Sequence, residues 1–265
     1  MPTNSPSRRI EQLNLSANSL FHFTDKDSLF NILRNNFQPH YSCEDMTFSS
    51  SPAESNLVGI PMVSFCDIPL SQIRNHVATY GRYAIGLTKD WARSHGVTPV
   101  IYHHRDSQTA LAAERLVISA ASLITKHDVD LQGPLDALYL SFFFKPYEGR
   151  IWRNGRFSPH LVRFYDEREW RYVPLIWPFD SVAPPFLHKE FLLDSVRLQT
   201  ANDRLRDINS LVFEPRFIRY IIINRDSEIL ETLEQVLQIK QHFSPNDLKL
   251  LTTRIISLEQ ILQDF

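Results

Sequence analysis

The chain has 265 residues, 43% of them hydrophobic and 22% charged, and a formal net charge of −2 from 28 basic and 30 acidic side chains. That length buries a substantial core, and the composition excludes a disordered chain. The slightly acidic balance excludes a global field that draws in nucleic acid, and Cys43 and Cys66 are too few for a disulfide scaffold, which fits a reducing cytoplasm.

Residues 1–18 are polar and are expected to form a flexible N-terminus, without a signal-peptide core. No stretch has the length of a membrane-spanning helix. Leu20–Thr24 alternates apolar side chains with His22 and Thr24, as a half-buried strand does. A capping box from Thr24 to Asp27 opens a helix over Lys26–Asn35, and a short strand near Phe37–Tyr41 follows. Residues 43–59 read as a polar loop, and Pro61–Cys66 as a buried strand that Asp67-Ile68-Pro69 turns into a helix. Leu70, Ile73, Val77 and Tyr80 keep helical spacing until Gly81, and Tyr83–Thr88 is another strand. A short helix at Asp90–Ser94 leads to a strand at Thr98–His103.

Residues 107–126 are amphipathic, with Leu111, Leu116, Ala120, Leu123 and Ile124 expected inward. An apolar helix at Ala137–Phe144 is broken by Lys145-Pro146. Prolines at 174, 178, 184 and 185 mark an irregular passage. Phe217–Asn224 is a β-branched central strand, followed by a helix at Ser227–Leu237 and a last helix at Asn246–Gln263. The class is α+β: one domain over residues 19–265, with 226–265 as a helical C-terminal extension.

Two segments carry chemistry. In Phe164–Pro174 an extended strand would put Glu167, Glu169 and Arg171 on one face, with the Trp170 and Tyr172 face packed inward. Paired acids so close disfavour joint ionisation unless a cation or polar ligand answers them, although a solvated strand with Glu–Arg pairing also fits. His22-Phe23-Thr24 is the second segment; alone it also fits a hydrogen-bonded structural histidine. From Lys145 to Phe164, Arg150, Arg153 and Arg156 alternate with Trp152 and Phe157, which suits either a nucleic-acid-binding stretch or a basic surface loop. On a strand His103 and His104 would point to opposite faces, and they read better as loop histidines, so no metal site is expected from them, and the seven glycines form no phosphate cradle.

Read together, Leu20–Thr24, Met62–Ser71, Tyr80–Trp91, Asp166–Pro174 and Ile255–Phe265 resemble the AbiGi family, over about residue 19 to the C-terminus. The resemblance implies bacterial abortive-infection phage defence, with the label of antitoxin. More distantly, the order of motifs is similar to DarT-like ADP-ribosyltransferases, which modify nucleic acid with NAD. That similarity implies an ADP-ribosyltransferase-like mixed sheet core with inserted helices. His22 and Thr24 match the first-strand motif that holds the nicotinamide ribose, and Glu169 or Glu167 matches the catalytic glutamate. Glu169 would stabilise positive charge and Glu167 would hold the attacking group, with Ser64, Phe65, His76 and Tyr83 around the cofactor. No arginine in Phe65–Leu70 matches the one those enzymes use there. Two readings follow: an enzyme transferring ADP-ribose from NAD to RNA, DNA or protein, or a non-enzymatic antitoxin or sensor that binds a cognate partner protein.

Overall fold

A nine-stranded mixed sheet organises the computed structural model, which describes residues 16–49, 56–124, 130–153, 156–175 and 182–264. In chain order the strands are β1 (Ser19–Thr24), β2 (His40–Asp45), β3 (Leu57–Cys66), β4 (Tyr83–Thr88), β5 (Thr98–Pro99), β6 (Ile101–His103), β7 (Phe144–Pro146) and β8 (Trp152–Arg153). They continue as β9 (Arg156–Phe157), β10 (Glu169–Tyr172), β11 (Leu187–His188), β12 (Ile218–Ile223) and β13 (Ile255–Ser257). The helices are α1 (Lys26–Asn35), α2 (Arg74–Tyr80), α3 (Lys89–Ser94), α4 (Gln108–Ile124) and α5 (Gln132–Ser141). After them come α6 (Lys189–Leu193), α7 (Ser195–Ile208), α8 (Ile229–Ile239), α9 (Pro245–Thr252) and α10 (Leu258–Asp264).

The main sheet runs β13-β12-β4-β1-β3-β10-β5, and the long β3 also pairs with β2 and β11. Among the described residues only β12 and β13 are parallel within it, so the fold is α+β with a mixed sheet. Alternation along β1 and β12 sorts two cores. Leu20, Ile221 and Ile223 join Leu29 and Leu33 of α1 and Trp91 of α3 on one face. Phe21, Phe23 and Ile222 meet Ile73, Val77 and Ile261 on the other. Each fully buried aliphatic side chain contributes about 1.5–3 kcal/mol.

Several elements differ from the sequence expectation. The cap of α1 is Asp25, whose carboxylate accepts from the Ser28 N–H at 2.8 Å, and Thr24 is still in the strand. Phe37 makes an isolated bridge to Leu211, and β2 extends into the expected loop because it pairs along six positions with β3. The expected strand at Thr98–His103 divides: β5 pairs with β10, while β6 pairs with β7 outside the main sheet. In α4 Ala120 is buried as expected, but the rest of the buried face is Ala110 and Ala113, while Leu116 is 45% exposed. Ala110 and Ala113 lie against Phe142 and Phe143, where their small side chains allow the rings to approach.

The expected last helix is split into α9, β13 and α10, so the segment beyond residue 226 places a strand in the sheet. Ile255 and Ile256 are β-branched and pair with Ile221 and Ile222, which outweighs the helical spacing of the leucines around them.

Gly81 ends α2 with φ 124°, and a Cβ there would sit 2.2 Å from the Thr24 carbonyl oxygen. Gly81→Ala is therefore expected to cost about 1–3 kcal/mol in backbone strain alone, with the clash added. Thermal unfolding of the variant checks this, and an unchanged midpoint would refute it.

Candidate functional site

β1 and β3 pair at a single register, Phe21 with Cys66. One residue further, a side chain makes the link: His22 Nδ1 lies 2.8 Å from the Ser64 carbonyl oxygen. A carbonyl can only accept, so Nδ1 carries the proton and Nε2 keeps its lone pair. Burial lowers the basicity of His22, so the ring is neutral at pH 7. Phe37 and Phe65 hold it edge-on at 5.3 and 5.9 Å.

Across the gap, Glu169 opens β10 and pairs in register with Cys66. Its Oε1 accepts from Ser64 Oγ at 2.8 Å and Arg171 Nε at 2.5 Å, and its Oε2 from Lys145 Nζ at 2.5 Å and Arg171 Nη2 at 3.3 Å. Four donors on two oxygens fill the carboxylate. Burial would raise this carboxyl, but Arg171 and Lys145 outweigh it and hold it well below the usual carboxylate range.

Glu167 arrives differently. It ends a 3-10 turn, and Arg168 then takes a left-handed conformation at φ 46°, so Glu167 does not share a strand face with Glu169. It still meets the same cation: Lys145 Nζ donates to Glu167 Oε2 at 2.8 Å, and the Tyr80 hydroxyl donates to Glu167 Oε1. Burial and the Glu167 charge push the Tyr80 phenol up, so it stays protonated. Burial opposes the charge on Lys145, yet Glu169 and Glu167 hold its basicity well above the ordinary value.

Arg171 is fully buried and closes the array, donating to the Phe142 carbonyl and to Glu44 Oε2, each at 2.7 Å. The charges therefore alternate along Glu44, Arg171, Glu169, Lys145 and Glu167. The expected orientation is corrected here: the Glu169/Arg171 face is buried, while Trp170 and Tyr172 are half-buried against the other core. Lys145 and Arg171 make this possible by answering the acids inside the fold, which water would otherwise have to do.

A cavity of about 390 Å³ opens over this array and is lined by His22, Ser64, Phe65, His76, Glu167 and Glu169. Its outer wall includes Arg150, Trp152 and Phe157; the last two belong to the β8–β9 hairpin, their rings 4.8 Å apart edge to face. Arg150 makes no hydrogen bond or ion pair among the described residues. His76 packs on Tyr80 at 4.5 Å, and burial, with Lys145 nearby, lowers its pKa to about 4.

Other expected residues lie elsewhere. Thr24 does not line the cavity, and its carbonyl abuts Gly81. Tyr83 bonds Glu228 at 2.9 Å, away from the cavity, because it faces the helix side of β4. Arg156 is exposed on β9 and outside the lining, and the side chain of Arg153 falls outside the described residues.

Sequence reading placed Arg171 on the face of Glu169 and allowed Glu–Arg pairing, but it missed Lys145 as the cation that both glutamates share. The available signal was Lys145 inside Phe142-Phe143-Phe144-Lys145-Pro146, a lone cation in an apolar run. Glu44 lay in what read as a loop and offered none.

Residues 35–224 match the family described as "Putative abortive phage resistance protein AbiGi, antitoxin". The chain is also 29% identical over 170 residues to "Abortive phage resistance protein AbiGi" of Lactococcus lactis subsp. cremoris. That alignment covers 57% of this chain and 66% of the relative, just under two thirds of the relative's length. Every residue of the charged array lies inside the family match, and His22 lies outside it. No solved structure matches. Among the described residues no helix is long and apolar enough to cross a membrane.

Proposed function

The chain belongs to the AbiGi family, and on that premise we propose that it serves abortive phage resistance by transferring ADP-ribose from NAD within the cavity over Glu169. The observation that carries this reading is that His22 and Glu169, far apart in sequence, line one cavity. NAD would supply the nicotinamide–ribose bond that breaks. Glu169 would offset positive charge developing at the ribose, and His22 Nε2 would accept from a ribose hydroxyl. Phe65 and the Trp152–Phe157 pair offer ring surfaces, and Arg150 offers a cation to phosphate. Thus the residues suit a ligand with aromatic rings and phosphates. The acceptor is RNA, DNA or protein.

One observation favours a second reading, a binding subunit of the antitoxin kind on the same ADP-ribosyltransferase-like fold. Glu169 is already filled by four donors, so a substrate hydroxyl must displace Ser64 or Lys145 to reach it. Incubation with labelled NAD and cellular RNA, DNA and protein fractions separates the two. Label transferred to one fraction is the expected result; intact NAD in all of them, with stable capture of a partner protein, would replace the enzyme by the antitoxin.

If the acceptor is nucleic acid, Arg150→Gln should weaken its binding and reduce the salt slope by about one unit, the share of one phosphate contact. An unchanged slope would turn the assignment toward a protein acceptor.

A further inference from the structure

A basic cavity of about 470 Å³ lies where β1, β12 and β13 begin and shares no lining residue with the cavity over Glu169. Its cations are Arg219 and Arg254, and Asn18, Tyr220, Thr253 and Gln260 add polar groups around them. Among the described residues no carboxylate lines it. Glu259, beside Gln260, is turned to the Asp226 N–H at 2.9 Å.

Three features together suit these arginines to an anion. First, neither guanidinium makes an ion pair or a hydrogen bond among the described residues, whereas Arg93, Arg197, Arg206 and Arg216 each hold a nearby acid. Second, Arg254 Nε is buried without a partner, although the residue's backbone is fixed by the Ile221 N–H donating to its carbonyl at 2.8 Å. A buried charged donor left unpaired is costly and is kept where a ligand or water satisfies it. Third, Arg219 is the extra residue of a β-bulge: Ile218 opposes Leu87 and Tyr220 opposes Gly86, so Arg219 has no partner on β4. A bulge of this kind re-aims one side chain out of the alternation of its strand.

We infer that this cavity binds a phosphate group. Two guanidinium forks with no internal counter-charge match a phosphate monoester, which carries close to two negative charges at neutral pH, better than a carboxylate with one. The Tyr220 hydroxyl and the Gln260 amide supply neutral donors for the remaining oxygens. A free phosphorylated small molecule and the phosphorylated end of a nucleic-acid strand share this chemistry. The assignment is independent of what the first cavity does.

The test is calorimetric titration of the full chain with inorganic pyrophosphate at fixed ionic strength. Saturable binding at one site is expected, weakened at least tenfold in Arg219→Gln and in Arg254→Gln. Arg219 is exposed on its bulge, so Arg219→Gln keeps its fold even if Arg254→Gln does not, and circular dichroism checks both. Binding by Arg219→Gln within twofold of the wild type, or no saturable binding at all, would overturn the proposal. Competition then identifies the source within it. Displacement by a 5′-phosphorylated trinucleotide but not its unphosphorylated form supports a strand end, and displacement by neither supports a small phosphorylated ligand.

Discussion

Arg171→Met is expected to destabilise the protein by about 3–5 kcal/mol, the usual cost of removing one partner from a buried ion pair. Methionine fills much of the same volume but leaves Glu169 with half of its donors, Glu44 without its salt bridge to Arg171 and the Phe142 carbonyl without its donor. Against a typical total of about 5–15 kcal/mol, that loss brings the folded state close to its limit. The pH dependence identifies the cause. Glu169 is held below its ordinary pKa of 4.5, so its pairing contributes stability above pH 4.5 and loses it as pH falls through the depressed folded value. The gap between wild type and variant should therefore be widest at neutral pH and narrow below pH 4.5. Denaturant unfolding at pH 7 and pH 4 measures both. A loss under 1 kcal/mol at pH 7 would mean that water, rather than Arg171, answers these acids.

Local physics explains what could be read from the sequence. The alternation in Leu20–Thr24, the isoleucines of Ile218–Ile223 and the stop at Gly81 each act within a few residues, and strand, strand and helix end lie where they point. Two failures were local, since the cap of α1 is Asp25 rather than Thr24 and the turn at Arg168 takes Glu167 off the strand; the others involve partners distant in sequence. Helical spacing in residues 246–263 is real, yet Ile255 and Ile256 are claimed by β12. In α4 the leucines form the more hydrophobic stripe, but the alanines fit against Phe142 and Phe143. The acids at 167 and 169 suggested a site, and Arg171, two residues along the same strand, was a legible counter-charge for Glu169; Lys145 acquires that role only once the fold brings β7 and β10 together. The same long-range closure joins His22 to Ser64, a contact no spacing rule anticipates.

On the proposed reaction, Glu169→Gln should reduce ADP-ribose transfer by about 10²–10³, the usual scale for one electrostatic group at a reacting centre. Glutamine keeps the volume and one acceptor oxygen while removing the charge. The filled carboxylate makes the substitution harder than it looks, because the new amide N–H₂ must face Lys145 or Arg171, donors with nothing to give it. Some stability will therefore be lost as well, and activity has to be read per folded molecule at a temperature well below the variant's unfolding midpoint. Glu167→Gln serves as the comparison. Its Oε1 accepts from neutral Tyr80 and only Oε2 meets Lys145, so an amide fits there by placing its oxygen toward the lysine and its nitrogen toward the Tyr80 oxygen. If Glu169 stabilises charge in the reaction, Glu169→Gln shows that loss of turnover at matched folded fraction while Glu167→Gln retains more of it. If the cavity instead serves partner binding, both variants lose function only as far as they lose folded protein, and NAD is untouched in every case.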